Sequence, residues 1–419
     1  MNKLKLIILL LVGISFELQA QELDVNLQIR PRFEYRNGYK QPLLYGQEGT
    51  SQISQRSRLN FNYKQDDFIV KLTFQNTRTW GDVAPATTAD KNGVAVFEAW
   101  AQYNFTEKWS ARMGRQVLSY DNQRILGEMD WAQQGQSHDA LTVSYHSEKQ
   151  KLDFGGAYNS NAENVVQTPY TVANYKAMQY AWYHNQFNSD FGLSFLALNT
   201  GYEYTNLANK LLVDYTQTFG PYLTYKKGKI DTNFWLYGQT GKSTDLQVSA
   251  YNIAANFGYN ITDSFKAGLG YEFLSGKDSN DGSTVIKSFN PIFGTNHGFN
   301  GYMDYFYVGN HLKNVGLQDA FIKLNYNVNK WQFALIPHVF LSAADVVTPL
   351  NEKMDSYLGT EIDATFGYNF KKNITLSGGY SQMFGSKTME IVKGGDTSHS
   401  NNWAWLMISV DPRIFTYKK

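Results

Sequence analysis

Cysteine is absent from the 419 residues, so an oxidising compartment offers this chain no disulfide staples. Proline is scarce, at nine. Beyond the N-terminal segment no apolar run approaches the roughly 18 residues of a membrane helix. An excess of either charge is missing too. Once Lys3, Lys5 and Glu17 of that segment are set aside, 36 basic residues face 36 acidic ones. A neutral chain carries no charge argument for nucleic acid or for an acidic partner. About 400 residues without staples need a large core or some other apolar solvent.

The segment set aside, "MNKLKLIILLLVGISFELQAQ", has Lys3 and Lys5, an apolar stretch from Leu6 to Ile14, and Ala20 before Gln21. It reads as a signal peptide over 1–20, too short to span, with 21–419 as a single exported domain. The missing cysteine excludes a lipid-anchored lipoprotein.

What is present in quantity is tyrosine (29), phenylalanine (27) and glycine (34). This composition, with two-residue alternation, gives an all-β chain. A secreted lectin-like or propeller protein and a transmembrane antiparallel β-barrel both fit that alternation. Alternating segments fall at about 24–36, 53–64, 67–76, 94–104, 109–116, 138–147, 150–158, 177–187, 191–199, 211–226, 229–238, 247–260, 264–275, 316–328, 331–341, 357–370, 372–384 and 402–411. That is eighteen strands, or sixteen if 138–147 and 177–187 fail. Eight short links such as "TEK", "SEK" and "KKN" alternate with nine longer ones. An even count with turns sorted this way predicts a bacterial outer-membrane barrel with short periplasmic turns, long extracellular loops and periplasmic termini. Aromatics beside the short turns (Tyr63 and Phe68, Phe105 and Trp109, Tyr259 and Phe265, Tyr326 and Trp331, Tyr368 and Phe370) match an interfacial girdle.

The stretch "LQIRPRFEYR" then has a direction. Leu27, Ile29, Phe33 and Tyr35 face lipid, so Arg30, Arg32, Glu34 and Arg36 face the lumen. On the next two strands the same reading turns Arg56, Arg58 and Lys71 inward, because an arginine at the lipid midplane costs about 2–4 kcal/mol. Nine of the ten arginines lie between Arg30 and Arg124, Arg112 among them, so one wall is basic. The opposite wall carries Asp319, Lys323, Glu361 and Asp363. Guanidinium groups bind carboxylate and phosphate in a forked fashion, and rings of them suit anion pores. Pairing with Glu34 and Glu98, which merely braces the wall, is the competing reading.

Residues 114–141 read "GRQVLSYDNQRILGEMDWAQQGQSHDAL", and 289–321 carry Gly301, Asp304, Gly316-Leu317 and Asp319. Both regions resemble the alginate-export family of outer-membrane barrels. The resemblance implies an arginine-rich constriction passing an anionic polysaccharide, with Arg115, Arg124 and Asp139 at or near that path. The short links leave no room for a long gate on their side, so a passive or loop-constricted channel is expected. The natural constriction is the link 276–315, longer than the roughly 12–15 residues at which loops become functional or disordered. In it Asp304 and the rings Tyr302, Tyr305, Phe306 and Tyr307 either meet a solute or pack on the wall.

The seven histidines show no H-E-x-x-H or similar spacing, so no metal or other cofactor is expected. Ser144 and His146 share an inward parity, which leaves an outer-membrane hydrolase as a distant alternative to a non-enzymatic channel. A plugged receptor would need about 22 strands and a soluble segment before the first. The expectation is an outer-membrane channel for uronate or alginate-type saccharides or other small anions, with outer-membrane lipid as its other partner. A general porin with structural arginines is the runner-up.

Overall fold

In the computed structural model, residues 21–87, 90–306 and 315–419 are described; the expected signal peptide and Tyr307 lie outside them. The strands are β1 (Gln21–Asn37), β2 (Thr50–Gln65), β3 (Phe68–Thr79), β4 (Ala95–Asn104), β5 (Trp109–Gln116), β6 (His138–His146), β7 (Gln150–Tyr158), β8 (Ala177–Gln186) and β9 (Phe191–Thr205). The second half comprises β10 (Leu211–Lys227), β11 (Ile230–Ser243), β12 (Leu246–Asn260), β13 (Phe265–Leu274), β14 (Leu317–Val328), β15 (Trp331–Leu341), β16 (Tyr357–Lys371), β17 (Ile374–Gly385) and β18 (Asn401–Val410). A short β19 (Arg413–Lys418) continues the course of β18 after Asp411 and Pro412. An α-helix, α1 (Lys387–Lys393), caps the link between β17 and β18, with Ser386 Oγ accepting from the Met389 N–H.

From β1 to β18, each strand pairs antiparallel with its sequence neighbours. β1 closes the ring, bonding β2 on one edge and both β18 and β19 on the other. Pro412 has no N–H to give, and the ladder bridges the break by Leu27 N–H donating to the Pro412 carbonyl at 3.0 Å. The result is an eighteen-stranded barrel without an open edge, and the sixteen-strand alternative falls away.

All eighteen expected strands are present, but two ends differ. β9 runs on to Thr205 and β11 to Ser243, which reduces two links on the long-loop side to 206–210 and to Thr244 and Asp245. Those two residues have φ of 53° and 63°, as a tight two-residue hairpin requires. Apolar alternation stops where lipid stops, whereas the hydrogen-bonded ladder continues above it through polar residues such as Glu203 and Lys242. Reading hydropathy alone therefore ends such strands too early.

The outer face has the expected parity. Ile29, Phe33, Tyr35, Leu141, Phe195, Leu236, Leu269 and Ile408 are exposed, in a band that lipid covers. Phe68, Phe105, Trp109, Tyr259, Tyr326, Trp331 and Phe370 are exposed beside the short turns, and Trp331 packs on Tyr368 at 4.5 Å between centroids.

The inner face is divided by chemistry. Arginines and a lysine occupy β1–β5; Glu272, Asp319, Glu361 and Asp363 form a belt on β13, β14 and β16. Between these walls, β8–β12 point apolar groups inward: Met178, Tyr180, Leu196, Leu198, Trp235, Tyr237 and Ala254 are all buried. Facing water, such side chains would forgo about 1.5–3 kcal/mol each. They are covered by two links folded into the barrel, loop A (117–137) and the described residues of loop B (275–306 and 315–316). Leu118, Ile125 and Leu126 of A and Phe289 and Phe293 of B join the same apolar cluster.

Replacing Leu269, mid-strand on the lipid face, by arginine should destabilise the barrel by about 2–4 kcal/mol. Urea unfolding in lipid vesicles measures this; an unchanged midpoint would mean that this face does not meet lipid.

Candidate functional site

Loops A and B touch across the lumen. Leu126 and Phe293 form a parallel bridge, Gly127 N–H donates to the Phe293 carbonyl, and Thr295 N–H donates to the Gln123 carbonyl, both at 2.9 Å. Each loop is also tied to a wall of opposite character. Asp130 of loop A accepts from Arg56 Nη2 at 2.8 Å and Arg30 Nη1 at 3.1 Å, with Arg58 Nη1 3.9 Å away. Its neighbour Trp131 accepts on its carbonyl from Arg32 Nη1 at 2.7 Å, and the Arg32 guanidinium lies 4.0 Å over the Trp131 ring. Partial burial pushes the Asp130 carboxyl up, but Arg56 and Arg30 pull it down further, so it sits below the usual carboxylate range. The clasp is therefore present at all ordinary pH and is lost only as pH falls through that lowered value.

Loop A reaches the other side through Arg124, whose Nε donates to Glu272 at 2.8 Å and whose terminal nitrogens donate to Asn296 and Asn300 of loop B. Loop B hangs on the carboxylate belt by its own backbone: Met303 N–H donates to Glu361 at 2.7 Å and Tyr302 N–H to Asp363 at 3.3 Å. Asn300 Nδ2 bonds Glu272 and Asp319. Gly301, at φ 81°, lies where a Cβ would come within 2.7 Å of the Glu361 carboxylate, so the close approach needs glycine.

Two cavities lie on opposite sides of the described parts of these loops. One of about 530 Å³ opens toward the long-loop end and is bordered by Arg32, Arg36, Tyr39, Lys40, Gln52 and Asp304. The other, about 960 Å³, opens toward the short turns and is bordered by Asn233, Asn256, Phe299, Tyr302, Lys323 and Trp405. Trp131, Thr295 and His297 line both. At this waist the His297 ring lies between two others, Trp131 at 4.4 Å and 11° and Tyr302 at 5.4 Å and 23°. Its Nδ1 is 2.8 Å from Asp304, which also accepts from the Tyr39 hydroxyl.

The expected path residues fall into distinct places. Arg32 and Arg36 border the upper chamber, and both also bond Glu34. Arg30 and Arg56 are sealed behind loop A, at 4% and 1% exposure, and Arg58 reaches the Gln134 carbonyl with its guanidinium 3.6 Å over Phe97. Lys71 pairs with Glu98 at 2.5 Å, and Arg112 bonds Gln102 and lies over Trp100, on the same wall toward the short turns. Tyr302 borders the lower chamber and Asp304 the upper, whereas Tyr305 is fully buried, its hydroxyl donating to the Gly38 carbonyl.

Three placements correct the sequence reading. Arg115 and Asp139 share the outward parity of Met113 and Leu141, and they pair with each other at 3.5 Å on the outer surface near the long-loop end. A lumen position is closed to them because the inward neighbours on those strands are Gln116 and His138. Arg124 is 2% exposed, with its guanidinium nitrogens bonded to Glu272 and loop B, so it ties loops instead of meeting the open chambers. Loop A, finally, constricts the lumen together with loop B, whereas the sequence reading names only the link 276–315 as the constricting loop and places Arg124 near the path. Its signal was available: Met178, Tyr180, Leu196 and Leu198 make β8 and β9 apolar on both parities, which a water-filled pore does not tolerate.

A family model described as alginate export matches residues 21–385. Solved barrels of similar shape include Acinetobacter baumannii OccAB1, at 11% identity over 94% of this chain and 97% of that one, with a TM-score of 0.66. Acinetobacter baumannii OccAB4 reaches 0.64 at 11% identity over 95% and 98%. Pseudomonas aeruginosa OpdK, solved with vanillate, reaches 0.60 at 12% identity over 95% and 99%. At such identities the likeness speaks for the fold. No curated protein matches the chain in sequence.

If the ring stack sets the width of the waist, Trp131→Ala should raise single-channel conductance, while Tyr305→Phe, which removes one buried bond away from it, should not. Equal conductance in the wild type and Trp131→Ala would move the constriction elsewhere.

Proposed function

The chain belongs to the alginate export family of outer-membrane barrels, and on that premise we propose that it is a loop-constricted channel for small carboxylated solutes. Uronate or alginate-type oligosaccharides come first among them. The observation that carries this reading is the upper chamber, where Arg32 and Arg36 border the route and Arg32 lies against Trp131 at the waist. A guanidinium next to an aromatic face suits a ring that bears a carboxylate: the fork takes the anion and the ring takes the stacking surface. Chambers of about 530 and 960 Å³ have the size of small-molecule sites, which favours short solutes over a threaded polymer.

Passage is diffusive in this reading. The cations each have protein partners already, so a passing anion is held weakly and at several places, as flux requires. The short turns and both termini face the periplasm, following the turn asymmetry of such barrels. A second reading has one specific support. The Trp131, His297 and Tyr302 rings lie nearly parallel, and one barrel of the same fold was solved with vanillate. A planar aromatic acid is therefore the alternative solute.

Recording in planar bilayers under a potassium chloride gradient tests the reading. The wild type should prefer anions and be blocked by uronate oligosaccharides. Arg32→Gln with Arg36→Gln should move the reversal potential toward cations and weaken that block. Reversal potentials that stay the same in the double variant would remove these residues from the path; unselective, unblocked conductance in the wild type would reduce the protein to a general porin.

A further inference from the structure

The three arginines behind loop A are arranged around a carboxylate that arrives from outside their wall. Arg56 and Arg30 bond the two oxygens of Asp130, and Arg58 completes the group at 3.9 Å. Among the described residues no other carboxylate pairs with these three guanidinium groups. We propose that Arg30, Arg56 and Arg58 form a binding site for the carboxylate of the passing solute, and that Asp130 is its resident occupant, displaced when the solute enters. This rests on the anion-channel reading above and adds to it a site and an exchange step.

Access supports the exchange. The Asp130 side chain is 52% exposed, whereas those of Arg30, Arg56 and Arg58 are 5%, 1% and 11% exposed. The carboxylate thus stands between solvent and the cations. Two of the cations are held by their own wall as well. Arg56 Nε donates to Gln28 at 2.7 Å, Arg58 Nε to Gln75 at 2.9 Å, and Arg58 lies 3.6 Å over Phe97, while Arg30 bonds Gln133 of loop A at 3.1 Å. Groups fixed in this way are preorganised for the next carboxylate.

Energetics point the same way. Three guanidinium groups sharing one carboxylate leave an excess of positive charge, which would be expensive to leave without an anion in a half-buried place. Replacing one carboxylate by another keeps that balance. The neighbours of Asp130 remain anchored meanwhile, since Gln133 bonds Ser54 and the Trp131 carbonyl accepts from Arg32. A resident competitor lowers the apparent affinity of the site by the fraction of time it occupies it, which turns a tight anion trap into a step that solutes can leave.

The test uses the full-length barrel in planar bilayers, with sodium glucuronate as the probe, comparing the wild type, Asp130→Asn and Asp130→Glu. Asp130→Asn should block at a glucuronate concentration lower on the order of tenfold, and Asp130→Glu should return toward the wild type. Swelling of liposomes in uncharged glucose, run on all three, reports whether loop A has been released. An unchanged blocking concentration in Asp130→Asn overturns the proposal. So does a parallel rise of glucose flux and block, because loop A would then simply have been released. A wild type that neither prefers anions nor is blocked fails the channel reading itself, and is told apart from the other outcomes without any variant.

Discussion

Backbone hydrogen bonding in a solvent that offers none governs this molecule. Inside hydrocarbon an unsatisfied N–H or C=O costs several kcal/mol, so a chain that spans with strands must close its sheet. β1 carries the closure, with β2 on one edge and β18 followed by β19 on the other. Once the ring is shut, strand parity has only two destinations. Leu27, Ile29, Phe33 and Tyr35 go to lipid and Arg30, Arg32, Glu34 and Arg36 to the interior, and the same division repeats around the barrel.

The interior then faces a second constraint, since buried charges need partners. Some come from the wall itself, as Glu34 for Arg32 and Arg36, Glu98 for Lys71 and His338 for Asp319, and the rest from the inner loops. Loop A carries Asp130 to the arginine wall and Arg124 to Glu272 on the carboxylate wall. Reversing it end for end would set like charge against like. The field across the lumen therefore orients the loop that fills it. The apolar patch on β8–β12 supplies the attraction that brings both loops inward, and the polar clasps settle where they stop.

Much of the fold was legible beforehand. All eighteen strands follow from alternation and from the sorting of links, because both reflect the two solvents that a barrel strand meets. The two misjudged ends, at Thr205 and Ser243, lie above the lipid, where apolar alternation no longer reports on the ladder. Loop B was expected at the constriction on length alone. Tyr302, Asp304 and Tyr305 then proved to have three different settings, bordering the lower chamber, bordering the upper chamber and buried in packing. Loop A is half as long yet still exceeds the length at which loops become functional, and it holds Arg124 and most of the stretch 114–141 that carries the family resemblance; the apolar inner parity of β8 and β9 is a further trace of it.

What the sequence by itself determined is everything that depends on neighbours along one strand: which residues face lipid, which face inward, how many strands there are, and where the basic wall lies. Parity is a local property, set two residues at a time. Tertiary structure alone decided what each inward charge does. Arg30 and Asp130 are separated by a hundred residues, as are Arg32 and Trp131 within one. Whether a guanidinium meets solute or protein depends on the path of a loop that starts on another strand. That path is fixed by packing on a third wall, which no local pattern around the arginines records.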